Sequence, residues 1–167
     1  MANKFVWSGA GGANDGSSWD NAYTSLMRDW GAEGTFTPGT DFIYVRSVHA
    51  ESANSALTIT GSTAEGTEDQ CRVICVVGDT TGTTPGNLAT GASVTTITTT
   101  TNDINIDEGI YIYGVDFFSI DDIFLAGSNA DHDITLEQCR LELTGTDAGD
   151  TIVLGSTSTA RGSVVVL

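Results

Sequence analysis

Apolar and polar positions alternate in short bursts through the second half of the chain, and the bursts recur. Asp103-Ile104-Asn105-Ile106 leads to Ile110-Tyr111-Ile112-Tyr113-Gly114-Val115-Asp116-Phe117. Asp122-Ile123-Phe124-Leu125 leads to Ile134-Thr135-Leu136-Glu137-Gln138-Cys139-Arg140-Leu141, and Thr151-Ile152-Val153-Leu154 to Val164-Val165-Val166-Leu167. Alternation with period two marks a strand with one buried face. A unit of roughly 20–50 residues that recurs marks a solenoid, since no unit buries its apolar face until the next stacks on it. The units hold strand-length segments and no helix-length one, so the expected fold class is all-β, a parallel β-helix. Aligning the repeats puts Ile112, Leu136 and Val166 in one internal column and Val115 beside Cys139.

The first half is less regular. Residues 5–7 read as a short strand, and Gly9 to Ser18 as a loop with an Asp-Gly turn. Trp19, Tyr23, Leu26 and Trp30 then fall at i, i+4, i+7 and i+11, which predicts a helix over 19–30 capped by Ser17 or Ser18. Its apolar face is expected to close the N-terminal end of the stack, in preference to serving as a sugar-stacking platform. Strands follow at Phe42-Ile43-Tyr44-Val45, Ala56 to Thr60, Arg72 to Val77 and the Thr-rich Ser93 to Thr101. An acidic loop at 61–70 and a loop from Asp79 to Gly91 lie between them. The expected organisation is a cap over 1–40 and rungs over 41–167. The final strand ends apolar and in mid-rung, so the stack is expected to continue in a longer chain or to be covered by another subunit.

Composition sharpens this picture in two ways. The chain holds 20 Gly and 2 Pro and is rich in Thr, the makings of pleated surfaces and tight corners. Six Lys and Arg against 22 Asp and Glu give a net charge of −16, which repels phosphate backbones and argues against nucleic-acid binding. The acidic surface is expected to resist edge-to-edge association, with cation binding as the functional alternative. The start, Met1-Ala2-Asn3-Lys4-Phe5-Val6-Trp7, carries no apolar run of signal-peptide length, and no stretch approaches the roughly 20 apolar residues of a membrane span. Three cysteines do not suggest a disulfide framework.

The opening Phe5-Val6-Trp7-Ser8-Gly9-Ala10, with Gly12-Ala13-Asn14-Asp15-Gly16-Ser17-Ser18-Trp19-Asp20-Asn21-Ala22-Tyr23 after it, resembles the N-terminal cap of right-handed parallel β-helix proteins of the pectin-lyase-like superfamily. Ile134-Thr135-Leu136-Glu137-Gln138-Cys139 is similar to that superfamily's rung consensus. His49-Ala50-Glu51, Ala56 to Thr60 and Cys71 to Val76 resemble a narrower group, structural proteins of tailed bacteriophages. The resemblance implies a right-handed coil and a virion protein, assembled in a host cytoplasm and released by lysis. It also admits enzymes, since one fold hosts many functions.

Carboxylates are the plentiful reactive groups. Polysaccharide hydrolases use pairs about 5–5.5 Å or about 6.5–9.5 Å apart, and the candidates are Asp116, Asp121, Asp122, Asp131, Asp133 and Glu137. Asp121 and Asp122, if extended, point to opposite faces and cannot share a substrate. Asp131 and Asp133 read as residues of the turn before Ile134. A lyase needs a base and a cationic groove, and Arg72, Arg140 and Arg161 are isolated on an acidic body, with Arg140 pointing outward. Cys71 and Cys75 share one strand face and read, with Cys139, as inward-facing core residues. A zinc site would have to recruit His49 and His132 at a spacing that matches no finger or ribbon. Gly9-Ala10-Gly11-Gly12 lacks the Lys-Ser/Thr of a phosphate loop and reads as a turn.

The expectation is therefore a non-enzymatic bacteriophage virion protein, with no catalytic, cofactor-binding or metal residue assigned. It would be the particle-attachment part of a fibre or spike, or a capsid decoration protein. Its partners would be other virion proteins and further copies of itself, most simply in a trimer. The alternative is a tailspike that binds or cleaves a host surface glycan, with its active site mostly outside this segment.

Overall fold

Short β-branched runs separated by polar corners fold here into strands of two to seven residues that pair almost wholly in parallel. The computed structural model describes residues 3–63, 70–78, 81–91, 94–126, 133–154 and 164–166. Asp131, His132, Arg161 and Leu167 lie outside the described residues, as does most of the acidic loop at 61–70. The first sheet contains β1 (Lys4–Val6), β2 (Phe42–Arg46), β5 (Cys71–Val77), β9 (Ile110–Tyr113), β12 (Ile134–Glu137) and β15 (Val164–Val166), hydrogen-bonded in that order. The second stacks β3 (Ala50–Ala53), β7 (Thr95–Thr99), β10 (Val115–Ser119) and β13 (Arg140–Leu143). The third stacks β4 (Leu57–Thr60), β8 (Ile104–Asp107), β11 (Ile123–Ala126) and β14 (Ile152–Leu154). Each circuit of the chain visits the three sheets in the same sequence. This is a β-solenoid-like stack, consistent with a parallel β-helix. One short antiparallel strand, β6 (Asn87–Leu88), folds back on the end of β5.

The register builds the core as columns. Ile43 pairs with Val73, Val73 with Ile112, Ile112 with Leu136 and Leu136 with Val166, as the repeat alignment expects. Ile43, Val73, Ile112 and Leu136 are fully buried. In the third sheet Ile59, Ile106 and Leu125 form one column, and Leu57, Ile104 and Ile123 another. In the second, Asp116 pairs with Arg140, which sets Cys139 beside Val115 one residue earlier. Cys71 and Cys75 are fully buried and Cys139 packs against the core. Arg140 points to solvent beside Glu142.

Each repeat has three sides, not the two strands that the sequence pattern suggests. Ile110 to Phe117 is broken at Gly114, whose φ of 73° turns the chain from the first sheet into the second. A Cβ there would stand 2.9 Å from the Cβ of Cys75, so glycine is required by both space and conformation. Gln138 makes the same turn one rung on, at φ 53°.

No helix forms over 19–30, which corrects the expected capping helix. The segment is rich in Asn, Asp, Ser and Thr, whose side chains compete for backbone groups. Asn14 Oδ1 accepts the Thr24 N–H at 2.8 Å, and Glu51 accepts the Leu26 N–H at 2.9 Å. Tyr23 pairs in parallel with Val6, and Asp29 with Thr60. The segment is thus an irregular turn of chain laid over the first rung. All four large residues are buried, but not on one face. Tyr23, Leu26 and Trp30 close the central core, whereas Trp19 joins Phe5 and Val76 in a second cluster against the first sheet. Its ring meets that of Phe5 edge-on at 4.8 Å.

Candidate functional site

The corner between the second and third sheets gathers carboxylates. Asp103 precedes β8 and Asp122 precedes β11, so parallel stacking sets one above the other. The chain bends at Ile120 and Asp121, where Ser119 Oγ accepts the Asp121 N–H at 3.3 Å. That bend corrects the expectation that Asp121 and Asp122 point apart. One carboxylate oxygen each from Asp103, Asp121 and Asp122 lie within 4.8 Å of one another. This is the one such group of three metal-ligating side chains among the described residues. Oxygens this close suit a hard cation, which takes ligands at about 2.3–2.6 Å.

The same groups already have backbone partners. The Asp122 N–H donates to Asp103 Oδ1 at 3.2 Å, and the Thr151 N–H and hydroxyl both donate to Asp122 Oδ1, at 2.6 and 2.9 Å. Partial burial, then the charges of Asp121 and Asp122, hold the Asp103 carboxyl above its ordinary range. Asp150 is shifted the same way, by desolvation and then by Asp121, Asp147 and Asp122.

The other sequence candidates do not converge. Asp116 lies on β10 beside Arg140; burial raises its carboxyl more than Arg140 lowers it. Glu137 accepts the Tyr111 hydroxyl at 2.7 Å on the first sheet. Burial, then this carboxylate, pushes the Tyr111 phenol up. Asp133 sits at the entry to β12, its carbonyl accepting from Ile110 and from Gln70 Nε2 at 2.7 Å. Asp133 and Glu137 are four residues apart along extended chain, roughly 13 Å, which is too far for either glycosidase geometry.

Cysteine chemistry is suppressed by burial, which pushes Cys71 up to about 12 and Cys139 to about 11. Cys75 is raised by burial as well, and its thiol lies 3.5 Å from Thr95 Oγ1. The His49 ring is instead engaged by the Ser8 N–H and lies beside Glu51.

Sequence reading missed the group formed by His49, Glu51 and Ser25. His49 is 1 % exposed and accepts the Ser8 N–H on Nδ1 at 2.9 Å. Glu51 accepts the Ser25 hydroxyl at 2.6 Å and the Leu26 and Met27 N–H groups at 2.9 and 3.4 Å. An alternating run that places a Glu in an inward column, at the end of the stack, is the one signal that could have found it.

Among the described residues no helix is long and apolar enough to cross a membrane. Comparisons of the chain with known protein families, with curated proteins and with solved structures found no match.

Proposed function

We propose that this protein is a non-enzymatic structural component of a bacteriophage particle, acting through the shape and surface of a stacked β-scaffold. The observation that carries the non-enzymatic part is how its carboxylates are used. Asp103 and Asp122 hold backbone donors of the neighbouring rung, Glu137 holds a tyrosine and Glu51 holds the turn over the first rung. The resemblance of the opening segment and rungs supports the virion assignment and the finer fold reading, a right-handed parallel β-helix of the pectin-lyase-like kind. Right-handedness also follows the strong rule for crossovers between parallel strands of one sheet.

The particle role is attachment of a fibre or spike, or decoration of a capsid, in a homo-oligomer. Ile152 and Leu154 support self-association: they extend the columns of buried Ile123 and Leu125 but are 38 % and 60 % exposed. With a charge of −16, the protein would dock on a basic or cation-bridged surface, in the first case more weakly at high salt.

Mass spectrometry of gradient-purified particles from the producing lysate tests this reading. The polypeptide should band with intact particles and survive washing. Recovery only from the soluble fraction would contradict the proposal. Release of reducing ends or unsaturated uronates from bacterial polysaccharides by the pure protein would contradict its non-enzymatic part.

A further inference from the structure

Five large hydrophobic residues stand exposed among the described residues, and they fall in two places. Val48, 68 % exposed, lies in the turn from β2 to β3, and Leu88, 56 % exposed, lies on β6. Register joins them into one patch. Val6 pairs with Val45, Arg46 with Val76 and Val76 with Leu88, so Trp7, Arg46, Val76 and Leu88 run in a row across the outer face of the first sheet. Val48 follows two residues after Arg46. Val76 is covered by Phe5 and Trp19, but Trp7 and Arg46 are only half-buried. The Arg46 guanidinium lies 4.1 Å from the Trp7 ring centroid and 5.9 Å from that of Trp19. It pairs with no carboxylate among the described residues. Tryptophan and arginine are enriched where proteins meet, above all beside apolar neighbours.

The other three, Ile120, Ile152 and Leu154, lie at the opposite end of the stack, around β14. Carboxylates surround them. Asp122 Oδ1 accepts the N–H of Thr151, the residue before Ile152. The Asp150 carboxylate and the Ile120 carbonyl both crowd the place that a Cβ on Gly145 would take, and Asp121 follows Ile120 in the bend. No Lys or Arg among the described residues pairs with these three aspartates, and Arg140, on the second sheet, is engaged by Glu142. One patch is thus apolar with an unpaired cation, and the other apolar with a cluster of carboxylates.

We propose that the two patches are the halves of one contact between copies of this chain, the acidic patch of one copy seated on the Arg46 patch of the next. This rests on the homo-oligomer proposed above and names its faces. Val48 and Leu88 meet Ile152 and Leu154 at the centre, and Arg46 meets the aspartates at the rim. Setting the acidic patch against its own copy would bring like charges together, which disfavours the symmetric alternative. The charge of −16 on each copy does not forbid the contact. At physiological salt, exposed charges more than about 8 Å apart are largely screened, so the nearest groups decide. Because the faces differ, every copy uses both, and the assembly closes into a ring or runs on as a filament.

The test is light scattering of charge-reversed variants, alone and mixed, with far-UV spectra read on the same samples to check the fold. Arg46→Asp and Asp150→Lys should each weaken self-association by at least roughly tenfold. Val48→Ser, which touches no core position, should weaken it as well. An equimolar mixture of the two charge variants should recover association. There the native Arg46 of one variant meets the native Asp150 of the other, and the introduced aspartate meets the introduced lysine. Variants that associate as the parent does, or a mixture no more associated than its components, would overturn the head-to-tail contact and leave the oligomer standing. A parent that is monomeric at every concentration would remove the oligomer and this contact with it.

Discussion

At the scale of single residues, the covering turn is where most stabilisation rests on few side chains. Trp30 is fully buried, meets the Tyr23 ring edge-on at 5.6 Å and donates its indole N–H to the Leu26 carbonyl at 3.0 Å. Trp30→Ala should therefore cost about 3–5 kcal/mol in urea unfolding, the range for deleting a buried aromatic. Glu51 gives a pH signature. Burial alone would raise its carboxyl, but His49, the Ser25 hydroxyl and the Leu26 N–H outweigh burial and hold it below its ordinary value of 4.5. A depressed carboxyl contributes stability that is complete above its unfolded value and lost as pH falls through the lower folded one. Melting temperature should thus drop below about pH 4.5, and Glu51→Gln should melt lower at neutral pH with a shallower acid slope. Asp103, Asp116 and Asp150 are shifted upward and act in the opposite sense, so the difference between parent and variant isolates Glu51. Beyond the alternation that places Glu51 in an inward column, the His49–Glu51 arrangement was not legible in sequence, because Glu51 meets donors 24 to 26 residues away in the chain.

Elements were legible where period and repeat agreed. The columns through Ile112 and Leu136 follow from strict alternation, and a slip of one residue would turn every core side chain outward. Corners were not legible, because a turn made by one residue leaves the apolar pattern unbroken. Gly114 and Gln138 each interrupt what reads as a continuous strand, so three sides read as two. The helix over 19–30 failed for the opposite reason. Its 3.6-residue spacing coincides with burial in two separate clusters, and capping-prone residues supply the local bonds that a helix would need. Asp121 and Asp122 came together because the chain bends there, which the assumption of extended chain hid. The corner geometry makes paired forecasts. Gly114→Ala, with φ of 73° and Cys75 in the way, should lose roughly 1–3 kcal/mol. Gln138→Gly relieves a left-handed residue and should be neutral or stabilising by about 1 kcal/mol. Equal losses at both sites in thermal melts would mean that these are not equivalent corners.

For the whole molecule, the stack sets where apolar surface is covered and where it is left open. Most charge lies outside the columns, whereas Ile152 and Leu154 present column positions to solvent. Light scattering of the pure protein should give a mass above that of the 17.4 kDa monomer, and Leu154→Lys should lower it. A parent that stays monomeric at every concentration would remove the homo-oligomer from the functional reading. Everything above depends on the parallel stack, and the measurement that addresses it most directly is a set of through-space NMR contacts along one column. Ile43, Val73, Ile112 and Leu136 should each show backbone contacts to the next, at the roughly 4.8 Å spacing of adjacent strands and in parallel register. Antiparallel cross-strand contacts among these segments, or Val73 and Ile112 exchanging freely with solvent, would contradict the account.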